Sequence, residues 1–104
     1  MIRACFVLEI RNGAEEAYDR LHAEMADDVR EAIRDAGLRN YSLFRSGTTV
    51  VGYVKAEQDF ATSMAILEES SRFQSWAKGL GEVFTETRKG MARLTELEEI
   101  WHVD

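Results

Sequence analysis

The hydrophobic pattern of this chain changes its period several times, and that alternation limits the folds that it can adopt. Residues 2–10 alternate between apolar and mixed positions, which is typical of a strand with one strongly apolar face. From residue 14 to 36 the apolar side chains recur at helical spacing, and Gly37 follows where a C-terminal helix cap belongs. Asn12 and Glu15 resemble a capping box at the start of this helix. The first part of the chain therefore predicts a strand followed by one long helix.

The rest of the chain continues to alternate between strands and helices. The predicted elements are strands at 38–45 and 48–56, a helical region from near Asp59, a short helix over about 73–80, a mostly irregular stretch and a last strand at 94–103. Only Ser46-Gly47 separates the two middle strands, which predicts an antiparallel hairpin. The order is β-α-β-β-α-β, the ferredoxin-like arrangement of the α+β class. It predicts a single domain over 1–104, with a four-stranded antiparallel sheet and helices on one face.

The face of this sheet opposite the helices carries apolar side chains that need cover. Cys5, Val7, Tyr41 and Leu43 are predicted to lie on it, together with Trp101 from the last strand. Contiguous apolar patches on a surface usually mark an interface or a binding site. The sheet of a second subunit is the simplest cover, which predicts a homodimer of the dimeric α/β-barrel type. A small ligand cavity on that face is the alternative.

Composition and charge exclude several classes of function. No apolar run exceeds five residues, far short of the roughly 20 that a membrane-spanning helix needs. The net charge of −6 makes nucleic acids and anionic membranes unexpected partners. The single Cys5 and the absence of a signal-peptide pattern favour a cytoplasmic protein. One cysteine and two histidines form no metal motif, and no Gly-rich phosphate loop is present, so neither a metal nor a cofactor is expected.

A few side chains are candidates for chemistry on a small molecule. Tyr18 and His22 lie one helical turn apart, where an imidazole could exchange a proton and a phenol could bond the same ligand. The alternative is a histidine at the edge of the core with Tyr18 as ordinary packing. Trp76 could stack on the apolar face of a sugar or anchor a short helix in the core. Tyr41 and the neighbouring Asn40 could present a hydroxyl and an amide to the same cavity. Spacing alone leaves these alternatives open.

Several short motifs together resemble the L-rhamnose mutarotase family. They are MIR-x-x-FVLEI at the start, E-E-x-Y-x-R-x-H at 15–22, N-Y-S at 40–42, F-Q-S-W at 73–76 and E-L-x-E-I-W at 96–101. The resemblance spans nearly the whole chain at matching length. It implies a small cytoplasmic homodimer with a ferredoxin-like fold. It also implies an isomerase that interconverts the α and β anomers of a 6-deoxy-hexopyranose such as L-rhamnose, with no cofactor and no metal.

The same resemblance implies roles for individual residues. His22 matches the catalytic proton donor of the family, and Tyr18, Tyr41 and Trp76 match its sugar-contacting positions. The reaction opens and recloses the sugar ring at the anomeric carbon. One proton must reach the ring oxygen while another leaves the anomeric hydroxyl. The resemblance names no base partner for His22.

The chain departs from the family pattern around the expected pocket. Ala77 stands where the family usually has a second tryptophan, Met25 to Asp28 replace Ile-Trp-Pro-Glu, and residues 82–93 contain no proline. L-fucose or another deoxy-sugar is therefore an alternative substrate. A cofactor-free monooxygenase on the same dimeric fold and a non-catalytic small-ligand-binding dimer are alternative functions.

Overall fold

The predicted four-stranded antiparallel sheet forms the centre of the computed structural model, which describes residues 1–81, 83–85, 87–88 and 91–104. The elements are β1 (Ile2–Glu9), α1 (Glu15–Ala23), α2 (Asp27–Asp35), β2 (Leu38–Ser46), β3 (Thr49–Ala56), α3 (Phe60–Glu69), α4 (Ser71–Ala77), a 3₁₀ turn (Lys78–Leu80), β4 (Thr87–Arg88), β5 (Met91–Ala92) and β6 (Thr95–Leu97). The strand order in the sheet is β2-β3-β1-β6, and all neighbours are antiparallel. The ferredoxin-like α+β fold is confirmed. Within the described ranges, no helix has the length and apolar character to span a bilayer.

The core lies between the sheet and the helices. The inward-pointing residues of the two central strands are Ala4, Phe6, Leu8, Val50, Val54 and Ala56, all buried. Gly52 on β3 makes room for the ring of Phe6, because a Cβ at this glycine would lie 2.1 Å from the Cζ atom of Phe6. The Phe6 ring in turn stacks on Phe60 with 5.4 Å between ring centroids. The alternation along β1 therefore gives the buried face that the sequence predicts.

The helix predicted over 14–36 is two helices, α1 and α2, with a break at 24–26. In a continuous helix the amide of Met25 would bond the carbonyl of Leu21. Here that carbonyl accepts a hydrogen bond from the Trp76 indole Nε1 at 3.2 Å, and the Met25 amide turns to the His22 carbonyl. The backbone hydrogen bonds of α1 end at this point because the Leu21 carbonyl, which would accept the next one, is bonded to Trp76 of α4. The prediction of one long helix was wrong for this tertiary reason.

The ends of this helical region match the prediction at one end only. Gly37 has φ +89°, the left-handed conformation of a C-terminal cap, and its amide bonds the Arg34 carbonyl. At the start, α1 is preceded by Ala14 without any side-chain cap, so Asn12 does not complete a capping box. Only the Glu15 carboxylate reaches back, where it accepts a hydrogen bond from the Gly13 amide at 2.6 Å.

The last strand is shorter than the predicted 94–103. β6 covers Thr95–Leu97 and pairs with β1 only from Cys5 to Val7. Continued in this register, Glu99 would face Arg3, and their side chains do form a salt bridge at 2.8 Å. No described residue after Leu97 belongs to a strand, and Trp101 is 77% exposed and does not cover the sheet.

The stretch before β6 contains a small hairpin. Residues 81–93 were predicted as mostly loop, and within them β4 and β5 pair antiparallel. Positions 82, 86, 89 and 90 lie outside the described residues. The segment 82–93, where the chain departs from the family pattern, is therefore described only in part.

A β-bulge in β2 reverses part of the predicted sheet face. Arg39 pairs with Lys55, but the next pair is Ser42 with Tyr53, so two residues of β2 oppose one of β3. Tyr41 and Leu43 therefore point toward the helices, and the prediction that they lie on the uncovered face was wrong.

The uncovered side of the sheet is still apolar. We call it the open face; its described apolar members are Cys5, Val7, Phe44, Val51, Tyr53 and Leu97. Its members are half-buried or exposed, and Phe44 is 63% exposed. Cys5 and Val7, the two residues of β1 that were predicted to lie on this face, do lie on it.

Candidate functional site

A cleft of about 620 Å³ lies on the helix side of the sheet. Phe6 and Leu8 of β1 form part of its floor, and α1, α2, β2 and α4 supply its walls. A volume of this size is typical of sites for small molecules. The described lining is mostly apolar and contains no carboxylate side chain. A ligand here would meet apolar surface with a few polar groups to orient it.

All four residues singled out in the sequence line this cleft. Tyr18 and His22 come from α1, Tyr41 from β2 and Trp76 from α4. Tyr18 is 4% exposed, while the other three are partly buried. Residues that are far apart in the chain therefore share one wall of polar and aromatic groups.

His22 sits between two aromatic rings. Its ring centroid is 4.4 Å from that of Tyr18 and 5.0 Å from that of Trp76, and the Trp76 ring stands edge-on to it. The His22 Nδ1 lies 2.9 Å from the carbonyl oxygen of Tyr18. Because a carbonyl can only accept, Nδ1 carries the proton in the neutral ring, and Nε2 holds the lone pair. Among the contacts of the described residues, Nε2 has no hydrogen-bond partner.

Burial lowers the pKa of His22 from its ordinary value of 6.5. The hydrogen bond to the Tyr18 carbonyl and the charge of Asp19 act in the opposite direction but are smaller. The neutral imidazole therefore predominates near neutral pH. This side chain is poised to accept a proton at Nε2 and to return it.

The two phenols are protonated and can donate hydrogen bonds to a ligand. Burial raises the pKa of Tyr18 and that of Tyr41, so both keep their protons at any physiological pH. The Tyr41 ring stands edge-on to Phe6 at 6.2 Å, and the Tyr18 ring stands edge-on to Phe84 at 6.0 Å. These contacts hold both rings on the cleft wall.

Trp76 is fixed at both ends of its side chain. Its Nε1 donates to the Leu21 carbonyl, and its ring lies 5.6 Å from that of Phe73. The bond to Leu21 places the indole across the C-terminal end of α1, next to His22. Ala77, the next residue, also lines the cleft and is itself buried.

A salt bridge connects α1 to the β2–β3 hairpin. The Arg45 Nε and Nη2 atoms donate to the two carboxylate oxygens of Asp19 at 2.8 and 2.6 Å, and Arg45 Nη1 donates to the Gly47 carbonyl at 2.9 Å. The hydrogen bonds from Arg45 hold the pKa of Asp19 below its usual range. Asp19 precedes His22 by three residues, so this pair anchors the helix that carries the histidine.

Sequence analysis missed some residues of the site. Arg30 and Arg34 line the cleft one helical turn apart on α2, and this spacing is a signal that could have pointed to them. Phe84 packs against Tyr18 from a segment predicted as loop. The Asp19–Arg45 pair joins residues 26 positions apart, and no local pattern predicts such a contact.

The donor set of the cleft does not suit a metal ion. His22 is its one imidazole, and the described lining brings no carboxylate or thiol near it. No cluster of three or more metal-ligating side chains occurs among the described residues. The arrangement offers proton transfer at one imidazole nitrogen, two phenol donors and an indole ring.

Comparisons with known proteins agree on one family. The family model for L-rhamnose mutarotase matches residues 3–103. The L-rhamnose mutarotase of Opitutus terrae is 28% identical over the full length of both chains. The crystal structure of the L-rhamnose mutarotase from Formosa agariphila superposes with a TM-score of 0.85 at 18% identity, with complete coverage of both chains. A putative antibiotic biosynthesis monooxygenase from Nitrosomonas europaea shares the fold at a TM-score of 0.62 and 13% identity, covering 97% of this chain and 100% of its own. The chain therefore belongs to the L-rhamnose mutarotase family, and the protein is an isomerase.

Proposed function

We propose that this protein interconverts the α and β anomers of L-rhamnose or a related 6-deoxy-hexose such as L-fucose, with His22 as the proton-transfer residue. The observation that carries this proposal is the state of the His22 ring. Its Nδ1 is bound to a backbone carbonyl, which leaves the Nε2 lone pair for a ligand in the cleft. A proton-transfer group with one committed and one available nitrogen is what ring opening at an anomeric carbon requires.

Ring opening begins when Nε2 of neutral His22 takes the proton of the anomeric hydroxyl. The electrons of that O–H bond form the carbonyl at C1, the bond from C1 to the ring oxygen breaks, and the ring oxygen takes a proton. Both oxygens are bonded to C1, so the imidazolium of His22 lies within reach of the ring oxygen and can supply that proton. After rotation about the C1–C2 bond, the same steps in reverse close the ring on the other face. Such acid–base assistance is worth about 10²- to 10⁴-fold.

The other cleft residues bind and orient the sugar. Tyr18 and Tyr41 keep their protons and donate hydrogen bonds to sugar oxygens. The indole of Trp76 presents a ring face against which the C–H groups of a pyranose can stack. The ring centroids of Trp76 and His22 are 5.0 Å apart, which supports a sugar that stacks on Trp76 and also reaches His22.

The apolar lining supports a 6-deoxy-sugar as substrate. Met25, Met64, Ala77 and Leu80 form an apolar part of the lining, and we place the C6 methyl group of the sugar there, away from the arginines that line the cleft elsewhere. A buried hydroxyl without a partner loses binding energy, whereas a methyl group gains it by leaving water. L-mannose differs from L-rhamnose only by that hydroxyl, so it is the natural comparison substrate.

The test is saturation-transfer NMR of the exchange between the anomeric protons of L-rhamnose and L-fucose. We expect wild-type protein to accelerate exchange of one or both sugars, with a weaker effect on L-mannose. His22→Ala should lose the acceleration while its circular dichroism stays unchanged. The matched control is His102→Ala, which removes the other histidine of the chain at an exposed position far along the sequence.

Two results would contradict the proposal. Retention of full acceleration by His22→Ala would remove His22 from the mechanism. If the protein accelerates exchange of none of the three sugars, the proposed mutarotase activity is wrong. Oxygen uptake with aromatic substrates would then test the monooxygenase alternative.

We also propose that the protein is a homodimer joined through the open face. A patch of apolar side chains on a sheet is costly to leave in water, and an identical patch on a second copy is self-complementary about a two-fold axis. Phe44, the most exposed member of this face, is the residue to change. Sedimentation equilibrium should give a dimer for wild type and a monomer for Phe44→Asp. A wild-type monomer at micromolar concentration would refute the dimer without bearing on His22.

A further inference from the structure

We infer that Asn40 is a positioning residue, whose left-handed backbone makes the β-bulge that turns Tyr41 into the cleft and Arg45 onto α1. For its activity readout this inference rests on the proposed function. Asn40 has φ +52°, and it is the one residue other than glycine with a positive φ in the described part of the chain. Its side chain is exposed at the cleft, which it helps to line, and it makes no hydrogen bond to another described residue that would account for that conformation.

The bulge is visible in the pairing of β2 with β3. Leu38 faces Ala56 and Arg39 faces Lys55, whereas Leu43 faces Gly52 and Arg45 faces Val50. The sum of the paired residue numbers is thus one higher after Asn40 than before it. Asn40 and Tyr41 together occupy the space opposite the single residue Val54.

This one extra residue decides which side chains reach the site. Side chains alternate along a strand, so a strand without the bulge would send positions 40, 42 and 44 toward the helices. Tyr41 and Arg45 would then point to the open face. With the bulge, Leu38 before it and Tyr41, Leu43 and Arg45 after it all lie on the helix side.

Two contacts of the site depend on that reversal. Tyr41 reaches the cleft wall, where it stands edge-on to Phe6. Arg45 donates hydrogen bonds to both carboxylate oxygens of Asp19, and this contact holds α1 at a point three residues before His22. A single backbone conformation in β2 therefore sets the position of a hydrogen-bond donor and of the helix that carries the proton-transfer residue.

The choice of residue follows from the conformation. Asparagine tolerates a left-handed backbone better than most residues, glycine adopts it freely, and β-branched residues strongly avoid it. Threonine at position 40 should therefore favour a regular strand, while glycine should preserve the bulge and remove only the amide. These two substitutions separate the backbone role of Asn40 from any contact of its side chain.

The experiment compares Asn40→Thr with Asn40→Gly. The matched control is Ser42→Thr, which adds the same residue two positions along the same strand, where the backbone pairs regularly with Tyr53. Anomer exchange is measured by NMR as separate kcat and KM values for each variant. The strand register is measured independently from the NOEs between β2 and β3 and between the rings of Tyr41 and Phe6.

We expect Asn40→Thr to lose about 10²-fold in kcat/KM, as for a misplaced positioning group, and to lose the NOE between Tyr41 and Phe6. Asn40→Gly should keep the NOE between Tyr41 and Phe6 and lose much less of kcat/KM than Asn40→Thr, because it removes only an amide that lines the cleft, and Ser42→Thr should behave like wild type. In a Tyr41→Ala, Arg45→Ala background Asn40→Thr should cost little more, because it acts through those two side chains. If Asn40→Thr fails to fold, Asn40→Ala, which disfavours the left-handed region less strongly, replaces it in the same comparison.

The inference is overturned if Asn40→Thr keeps the shifted register and wild-type kinetics, or if Asn40→Gly loses as much activity as Asn40→Thr. The second result would assign the role to the amide side chain. If wild-type protein exchanges none of the sugars, the proposed function fails, but the NOEs still decide whether Asn40 controls the register.

Discussion

Gly52→Ala should damage both the stability and the site of this protein. The new Cβ would lie 2.1, 2.5 and 2.6 Å from three carbon atoms of the Phe6 ring, which is 1% exposed. Phe6 cannot simply swing away, because it stacks on Phe60 and meets Tyr41 edge-on. Forcing one extra methyl into a well-packed core costs about 1–3 kcal/mol. In a domain of this size each kcal/mol lowers the melting temperature by about 4–8 °C.

The assay is thermal and urea unfolding followed by circular dichroism, with anomer exchange measured on the same samples. Gly81→Ala is the matched control, because a Cβ there meets nothing closer than 3.4 Å and the backbone has ordinary φ. Phe6→Leu should reduce the cost of Gly52→Ala, since the smaller side chain gives the methyl its space. A Gly52→Ala protein as stable as wild type would refute the close contact between Gly52 and Phe6. Strictly additive effects of the two substitutions would refute it as well.

Four further predictions concern His22 and the groups around it. Because burial lowers the pKa of His22 below 6.5, the rate of anomer exchange should be constant near neutral pH and should fall only as the pH drops through that lowered pKa. A rate that already falls above pH 6.5 would contradict this prediction. The unfolded chain binds the extra proton first, so unfolding free energy from urea titrations should also decrease as the pH falls through 6.5. Trp76→Phe removes the hydrogen bond from the indole to the Leu21 carbonyl and should lower the free energy of unfolding by about 0.5–1.5 kcal/mol. It should also raise the KM for the sugar, and an unchanged KM would contradict the binding role of Trp76. Arg45→Met breaks a partly exposed pair with Asp19 and should lower the urea midpoint only slightly, and a large drop in the midpoint would contradict a surface role for the pair.

Much of the fold follows from local patterns. The alternation at 2–10 predicts β1, and the glycines at 37 and 47 mark a helix end and a hairpin turn, where both have positive φ. These features depend on neighbours within a few residues, so the sequence displays them directly. The resemblance to the mutarotases likewise depends on short motifs, and the family match over 3–103 confirms it.

The site could be predicted only in part. The residues Tyr18, His22, Tyr41 and Trp76 were identified individually, but only the tertiary structure brings them to one cleft. Their roles remain predictions. The anchoring of α1 by Arg45 escaped detection because the two partners lie on different elements.

The amino-acid sequence alone determined the order of the four sheet strands, the buried face of β1 and the family, because periodicity and short motifs are properties of consecutive residues. The tertiary structure decided where the first helix breaks, since Trp76 takes the Leu21 carbonyl. It also decided which face Tyr41 occupies, since one left-handed residue shifts the register of β2. Both outcomes depend on a balance between local backbone preferences and contacts with elements that are distant in the sequence. A short stretch of sequence shows the local preferences but not the distant contacts.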